Sequence, residues 1–365
     1  MRYQAEPVPI RQTKRPHRMK VAHVIHTDGR GGVEVAARSM AARVDLTCDF
    51  KLIFVAGESL LSGQRNVIPA RYASYDDPRS YFDALKRLRD FSPDVLICSM
   101  WRSFLVGILA KRLAPHVKLV CFVHNTRPAH FVDSLFHALA MRAADAIWFD
   151  CAESFARRAD KPRKSCRIIS FVTERRGPAA SLKASPVPRF VSWARLARVK
   201  GLDRALRLIA ELRALGADAH LEAWGPDRGE LASLIDLAAK LEISDRVHFP
   251  GIVDRRRLPQ IAASASFYLQ LSRYEGMAMA VVEAMQLGCV PVVTPVGQIA
   301  TYCRPGINAV LVDVQDLPGA AREIVGLLER PAAYSILRSN ALSEWSSAPL
   351  YADDVAAAAA GLVVD

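Results

Sequence analysis

The sequence predicts an α/β protein of two doubly wound parallel-sheet domains that face each other across a cleft. Three observations carry that expectation. Short apolar runs alternate with amphipathic helical segments along the chain, the pattern of strands joined by crossover helices. At 365 residues there is room for two ordinary domains, each with its own core. Near the middle, VTERRGPAASLKASPVP is rich in Pro, Ala and Ser and lacks periodicity, which marks a linker over 174–188.

The elements follow in order. Residues 1–18 form a basic, proline-containing arm without the apolar centre of a secretory signal, and the expectation for them is disorder. The first domain, 19–173, opens with the strand KVAHVIH. The glycine turn GRGG then enters the helix VEVAARSMAARV. Strands DFKLIFVA, PDVLICSM, HVKLVCFVH, AIWFD and CRIISFVT follow, with helices such as YFDALKRLRDF and SFLVGILAKRLA among them. The second domain, 189–345, begins at RFVSWARL. It continues as helix LDRALRLIAELRALG, strand HLEAWG, helix RGELASLIDLAAKL, strand VHFPG, helix RRRLPQIAASA and strand SFYLQL. A glutamate-containing helix, strands PVVT and AVLV, and terminal helices from about Asp316 complete it, the last over 346–365. No solenoid repeat is present. Sheets of this Rossmann-like kind bind ligands at the carboxyl ends of their strands.

Composition narrows the function. With 51% hydrophobic and 24% charged residues, the chain is globular. No apolar run reaches the roughly 18 residues that span a bilayer. Seven scattered cysteines, with no C-x-x-C pair and no His/Cys cluster, point to reduced thiols in a cytoplasm rather than a zinc site or disulfide framework. Charge is lopsided: residues 1–180 carry a net +13 and residues 181–365 a net −1. The basic half is expected to face something anionic. The absence of a zinc finger, an RNA-binding motif or a basic-aromatic stripe argues against nucleic acid. An anionic membrane surface, on the inner face, or a phosphate-bearing lipid carrier fits better, beside the plainer reading of a solvated basic surface.

The chemistry concentrates in SRYEGMAMAVVEAMQLGCVPVV. Glu275 sits at a turn after an apolar run. Glu283 lies in a short helix whose neighbours Val281, Val282, Ala284 and Met285 are apolar. A carboxylate buried there needs a donor, because burial without a partner costs several kcal/mol. Sugar hydroxyls meet that need; so does an arginine, or a neighbouring loop. The helix entered at Gly276, Met277 and Ala278, with Met279 next, offers unpaired N–H groups and a positive dipole end, a seat for phosphate. Arg195 and Lys200 follow the second domain's first strand, hence its carboxyl edge. Two cations in a loop are most often simply solvated, so position has to decide their role.

Glu-x7-Glu followed by Ala-Met, a Gly and Pro-Val-Val resembles the donor-binding signature of the retaining glycosyltransferases of family 4, which have the two-domain GT-B fold. Matching segments recur in order over nearly the whole chain. The resemblance implies nucleotide-diphosphate sugar as co-substrate, no other cofactor, and C-terminal helices that cross back toward the first domain. It implies that Arg195 and Lys200 hold the diphosphate as a forked donor and a point charge. Glu275 would meet the donor sugar and Glu283 the ribose. Gly31-Gly32-Val33-Glu34 resembles the family's Gly-Gly-x-Glu loop, where small residues let backbone approach the donor phosphate and acceptor. His124 resembles a histidine that contacts the sugar, and a lone His at a strand end is otherwise structural. Gly225 belongs to the second domain's glycine turn.

Departures fall where donor choice is tuned. The usual Gly-x-Gly-Pro is Ala223-Trp224-Gly225-Pro226, so that Trp224 either narrows the nucleotide pocket or packs the core. Val296-Gly297-Gln298-Ile299-Ala300 stands where Gly-Gly-x-x-Glu is common, CRIISFVT lacks an Asn-Gly, and Asn125 follows His124. No Asp-x-Asp occurs anywhere, so no metal requirement is expected: the cationic pair and the helix terminus supply the charge. The expected activity is retaining, metal-independent transfer of a hexose-type sugar to a saccharide or lipid-linked acceptor, in bacterial cell-envelope or extracellular polysaccharide synthesis. A nucleotide-sugar epimerase of similar fold and a non-catalytic nucleotide-sugar scaffold are the alternatives.

Overall fold

A computed structural model describes residues 18–27, 29, 31–57, 63, 65–124, 131–158, 164–178 and 186–364. The arm at 1–17, Asn125 and the centre of the linker lie outside the described residues. The first sheet has seven parallel strands: β1 (Lys20–Thr27), β2 (Asp49–Ala56), β3 (Val67–Ile68), β4 (Val95–Ser99), β5 (Lys118–Val123), β6 (Ala146–Phe149) and β7 (Ser165–Ile168). The second has six: β8 (Arg189–Trp193), β9 (His220–Trp224), β10 (Val247–Gly251), β11 (Phe267–Gln270), β12 (Val290–Val293) and β13 (Val310–Leu311), again all parallel.

Both sheets are wound the same way. The orders are β3-β2-β1-β4-β5-β6-β7 and β10-β9-β8-β11-β12-β13. Chain direction across the sheet reverses between β1 and β4, and between β8 and β11, which opens a crevice at the carboxyl end of each sheet. Central strands such as VLICS and FYLQ are buried along their whole length. Such runs have no polar face because helices cover both sides. One face of the first sheet packs on the helices Gly32–Ala41 and Tyr351–Val364. The other packs on Pro78–Phe91 and Trp101–Leu113.

The last helix belongs spatially to the first domain. Tyr351 stacks with Phe122 at 6.4 Å, and Asp354 accepts from Arg167 Nη2 at 2.5 Å and from the Ser170 amide at 2.8 Å. The outgoing and returning chains touch where they cross: the Tyr351 amide donates to the Val172 carbonyl at 2.7 Å, and Val172 pairs with Leu350 in parallel. Arg175 fixes the returning chain through the carbonyls of Trp345, Ser346 and Ala348.

Several elements differ from the sequence expectation. CRIISFVT contributes only its start to β7, because Ile169 and Phe171 turn under the returning helix. RRRLPQIAASA splits into a 3-10 turn, Arg255–Arg257, capped by Asp254, and a helix, Leu258–Ala263. The glutamate helix runs Met279–Leu287 and does not start at Gly276. The three residues before it are held elsewhere. The Gly276 carbonyl takes the Gln298 amide, the Met277 carbonyl takes the Tyr302 hydroxyl, and Ala278 sits at φ 55°.

Candidate active site

The carboxyl edges of the two sheets enclose a cleft of ≈ 390 Å³. The first-domain wall is Gly31, Gly32 and Glu34 after β1, Met100 after β4, His124 after β5 and Asp150 after β6. The facing wall is Arg195 and Lys200 after β8, Gln270 at the end of β11, the segment Glu275–Ala280, and Glu283. The walls approach closely: a Cβ built on Gly32 would stand 3.0 Å from Met279 Sδ. The expected site residues therefore meet in one cleft, except Gly225. That residue lines an adjoining pocket of ≈ 620 Å³ with Trp224 and Pro226. Gly225 has φ +153°, and a side chain there would strike the Ala194 carbonyl, a Cβ lying 1.8 Å from it. Trp224 lines this pocket and also packs against the second domain's core.

Glu275 is buried at the centre of a dense polar cluster. Its Oε1 accepts from Lys200 Nζ at 2.7 Å, Gln270 Nε2 at 2.8 Å and Ser272 Oγ at 2.6 Å. Oε2 accepts from the same Lys200 Nζ at 2.9 Å. Gln270 is oriented in turn by the Tyr268 hydroxyl at 2.7 Å, whose ionisation is pushed far up by burial and then by Glu275. Lys200 arrives there because Gly201, at φ +66°, closes the Arg198–Lys200 turn against Leu271; a Cβ would lie 1.9 Å from the Leu271 carbonyl. Lys200 is thus engaged with Glu275, which the spacing of the two residues does not reveal. Arg195 differs: it is exposed at the cleft, and no described residue hydrogen-bonds or ion-pairs with its guanidinium.

Glu283 is buried against Arg255 Nη2, its ionic partner among the described residues. Of the partners the sequence left open for Glu283, the structure shows the arginine. Burial, followed by the nearby Arg176 and Arg38, lowers the Arg255 pKa to about 10. Ahead of Glu283, the helix N-terminus at Met279 has no side-chain cap. The Val281 amide turns back to the Ala278 carbonyl at 2.9 Å, and the Met279 and Ala280 amides before it keep their donors for the cleft.

His124 is also buried. Its Nε2 lies 2.8 Å from Ser99 Oγ, and His23 Nε2 lies 2.7 Å from the same oxygen. One hydroxyl proton cannot serve both rings, so at least one imidazole donates its Nε2 proton to Ser99 Oγ. Burial drives both pKa values down, that of His23 to about 3 and that of His124 well below its ordinary value. Both rings are neutral. Among the described residues His124 Nδ1 has no hydrogen-bond partner, which leaves it for a ligand on the cleft wall.

Three cleft residues escaped the sequence reading. Asp150 ends the strand AIWFD and takes Ser154 Oγ at 3.0 Å; the carboxyl-edge rule that selects His124 selects it too. Gln270 carries the same signal at the end of SFYLQL. Arg255 was hidden in a run of three arginines that reads as an exposed helix start. Among the described residues, no three His, Cys, Asp or Glu side chains converge as a metal site.

Comparison with known proteins agrees with this layout. Residues 14–161 match the family described as Glycosyltransferase Family 4, and residues 175–343 match Glycosyl transferases group 1. The GDP-mannose:cellobiosyl-diphosphopolyprenol alpha-mannosyltransferase of Komagataeibacter xylinus is 27% identical over 208 residues, 52% of either chain. A D-inositol 3-phosphate glycosyltransferase of Catenulispora acidiphila is 32% identical over 42% of this chain and 40% of its own. The chain spans about half or less of the length of these relatives. HepE of Anabaena, solved with UDP and glucose, superposes with a TM-score of 0.76 at 16% identity, over 95% of this chain and 98% of its own. Sucrose-phosphate synthase of Thermosynechococcus elongatus gives 0.74 at 18% identity over the same shares. The fold is the GT-B fold of these enzymes.

Proposed function

From a chain that belongs to the family 4 glycosyltransferases through both of its domains, we infer a retaining, metal-independent transferase. It moves a sugar from a nucleoside-diphosphate sugar to a saccharide or lipid-linked acceptor. The observation that carries this reading is the meeting of Arg195, Lys200, Glu275 and Glu283 with Gly31, Gly32 and His124 in one cleft. Arg195 and the amides at Met279 receive the diphosphate, and Lys200 adds the donor that Glu275 leaves unused. Charge that grows on the departing diphosphate is stabilised where it develops. Glu275 takes sugar hydroxyls, Glu283 the ribose, and His124 Nδ1 a sugar hydroxyl from the opposite wall.

Of the two routes to retention, the way Glu275 is held favours transfer on one face over a covalent intermediate. Its carboxylate already accepts four hydrogen bonds, which suits a positioning role and blunts it as a nucleophile. The leaving diphosphate then takes the acceptor's proton on the same face, and the protein supplies orientation. Metal independence rests on the cations and the lack of an Asp-x-Asp. The Komagataeibacter relative is named for a polyprenol-linked acceptor, which supports the lipid-linked branch and a place in envelope or extracellular polysaccharide synthesis. So does an exposed apolar strip, Phe131, Leu135 and Leu139, on the helix Phe131–Ala143, which begins at the carboxyl edge of the first sheet.

No described helix is long and apolar enough to cross a membrane. Attachment to an anionic inner-membrane face would use Lys86, Arg89 and Arg112, which rim an apolar groove with exposed Phe82 and Leu113. Lys111 drops out of that set, because its Nζ is spent on Asp145 at 2.8 Å and on the carbonyls of Pro115 and Val117. The test is donor hydrolysis and transfer across UDP-, GDP- and ADP-sugars with EDTA present, reading the anomeric configuration of the product by NMR. Activity abolished by EDTA and restored by manganese would remove metal independence. Turnover of donor to a new sugar without acceptor would point to an epimerase.

A further inference from the structure

Three neighbouring strands of the first sheet, β1, β4 and β5, bring His23, Ser99 and His124 into one hydrogen-bonded row. Both rings reach the Ser99 hydroxyl through Nε2, and both are neutral, so each carries a single N–H. Both Nδ1 atoms lack a hydrogen-bond partner among the described residues, but they stand in different places. His23 is wholly buried, 6.4 Å from the ring of Phe122, and lies outside the cleft. His124 lines the cleft, its ring braced by Phe122 at 4.3 Å and Phe171 at 5.6 Å. The protons have three possible arrangements. With both on Nε2, the buried Ser99 hydroxyl has no acceptor among the described residues for its own proton. With His23 protonated on Nδ1, an N–H is sealed in the core without a partner, a rare state for a buried donor. The remaining arrangement runs one way along the row: His23 Nε2–H donates to Ser99, Ser99 donates to His124 Nε2, and the His124 proton sits on Nδ1 at the cleft. It leaves unmet only the lone pair at His23 Nδ1, and unmet acceptors occur in protein interiors more often than unmet donors.

We propose that Ser99, itself held by His23, is a positioning residue: it donates to His124 Nε2 and so presents His124 to the cleft as an Nδ1–H donor for an oxygen of the transferred sugar, never as a general base. The inference rests on the reading of the cleft as a sugar-transfer site. An imidazole protonated on Nδ1 has no lone pair on that side to take a proton, and the Ser99 hydroxyl occupies its other nitrogen. That agrees with a transfer in which the leaving diphosphate, not a side chain, receives the acceptor's proton.

Nitrogen NMR of the isotopically labelled full chain reads each tautomer directly, with His23→Asn and His124→Asn used to assign the two rings. His124 is expected to be protonated on Nδ1 and His23 on Nε2. UDP-, GDP- and ADP-glucose are then added, each beside its bare diphosphate; one of the sugars should move the His124 Nδ1–H signal where its diphosphate does not. In Ser99→Ala the His124 Nε2 signal should shift to that of a free acceptor nitrogen. Its kcat/KM should fall roughly 3- to 10-fold, the worth of one neutral hydrogen bond. Ser99→Thr keeps the hydroxyl and should recover the rate, both variants being confirmed folded by thermal melting. A wild-type His124 protonated on Nε2 overturns the proposal and leaves the transferase reading standing. An Nε2 signal that stays in place in Ser99→Ala, or an unchanged rate, overturns the role of Ser99. If the tautomers are as described but no sugar nucleotide moves the signal or is turned over, the transferase reading falls and the donor role of His124 falls with it.

Discussion

The two domains share one strand order and use charge in opposite ways. Residues 1–180 carry a net +13, yet their described residues on the cleft wall include Glu34, Asp150 and a neutral His124, and no lysine or arginine. Residues 181–365 carry −1 and supply Arg195, Lys200 and Arg255. Net charge therefore says little about where an anion is held; position at a strand's carboxyl end says more. The basic residues around Lys86, Arg89 and Arg112 lie near the amino ends of β4 and β5, the edge of the first sheet away from the cleft. In the proposed reading the second domain holds the donor, and the first closes over it and presents the acceptor.

That division can be broken most forcefully at Glu275. Glu275→Gln should lower kcat by roughly 10²–10³, the scale for removing a preorganised polar group from a reaction centre. Affinity for free nucleotide diphosphate, read by calorimetry, should change little. A variant that loses nucleotide binding but keeps turnover would move Glu275 away from the sugar.

The next contrast lies within the second domain. Arg195→Ala and Lys200→Ala should each slow transfer by roughly 10- to 150-fold, one charge-assisted phosphate contact of about 1.5–3 kcal/mol. They should part company in stability. Lys200→Ala strands the buried Glu275 and should melt several degrees lower, whereas Arg195, exposed and unpaired, should leave the melting temperature in place. Equal melting temperatures would show that the Lys200–Glu275 pair contributes nothing to the fold.

The first domain is sharpened by pH. His23 and His26 are held neutral with pKa values lowered to about 3 and about 4, chiefly by burial, against an ordinary 6.5. The unfolded chain binds more protons than the folded one below 6.5, so stability is complete above that pH and is lost as pH falls toward 4. A melting series from pH 8 to 4 should show that decline, and His23→Asn should flatten it. A series with no slope between 6.5 and 4 would mean that these rings are not buried neutral.

The smallest effect expected is on membranes. Lys86→Glu with Arg89→Glu should weaken co-sedimentation with anionic vesicles, at about 1 kcal/mol per basic residue, and added salt should do the same over a Debye length of about 8 Å. Wild-type protein that binds no vesicle at low salt would place the acceptor in solution.

Much of this was legible in the sequence because the signals were local. Alternating apolar runs such as DFKLIFVA and SFYLQL fixed strands, and strand ends located His124, Arg195 and Glu275. What was not legible depended on partners distant in the chain. Lys200 and Glu275 look like separate ligand contacts until the fold joins them across 75 positions. Arg255 resembles its neighbours Arg256 and Arg257, and burial against Glu283 alone separates it from them. Ala278 at φ 55° defies prediction because an alanine pays a steric cost there that only surrounding contacts can impose.

The paired crossing at Val172 and Leu350 has a consequence for how the two halves move. Two lengths of chain tied over the short stretch from Val172 to Arg175 would act as a pivot, resisting sliding while one half swings against the other. Separation then grows with distance from the pivot, so the mouth of the cleft opens first. Because every described lysine and arginine on the cleft wall rides on the second half, a swing would carry the nucleotide away from the acceptor's wall intact. We expect the order of departure to follow, elongated saccharide first and spent nucleotide second. Product-inhibition kinetics would read that order directly, and a nucleotide released first would argue against the pivot.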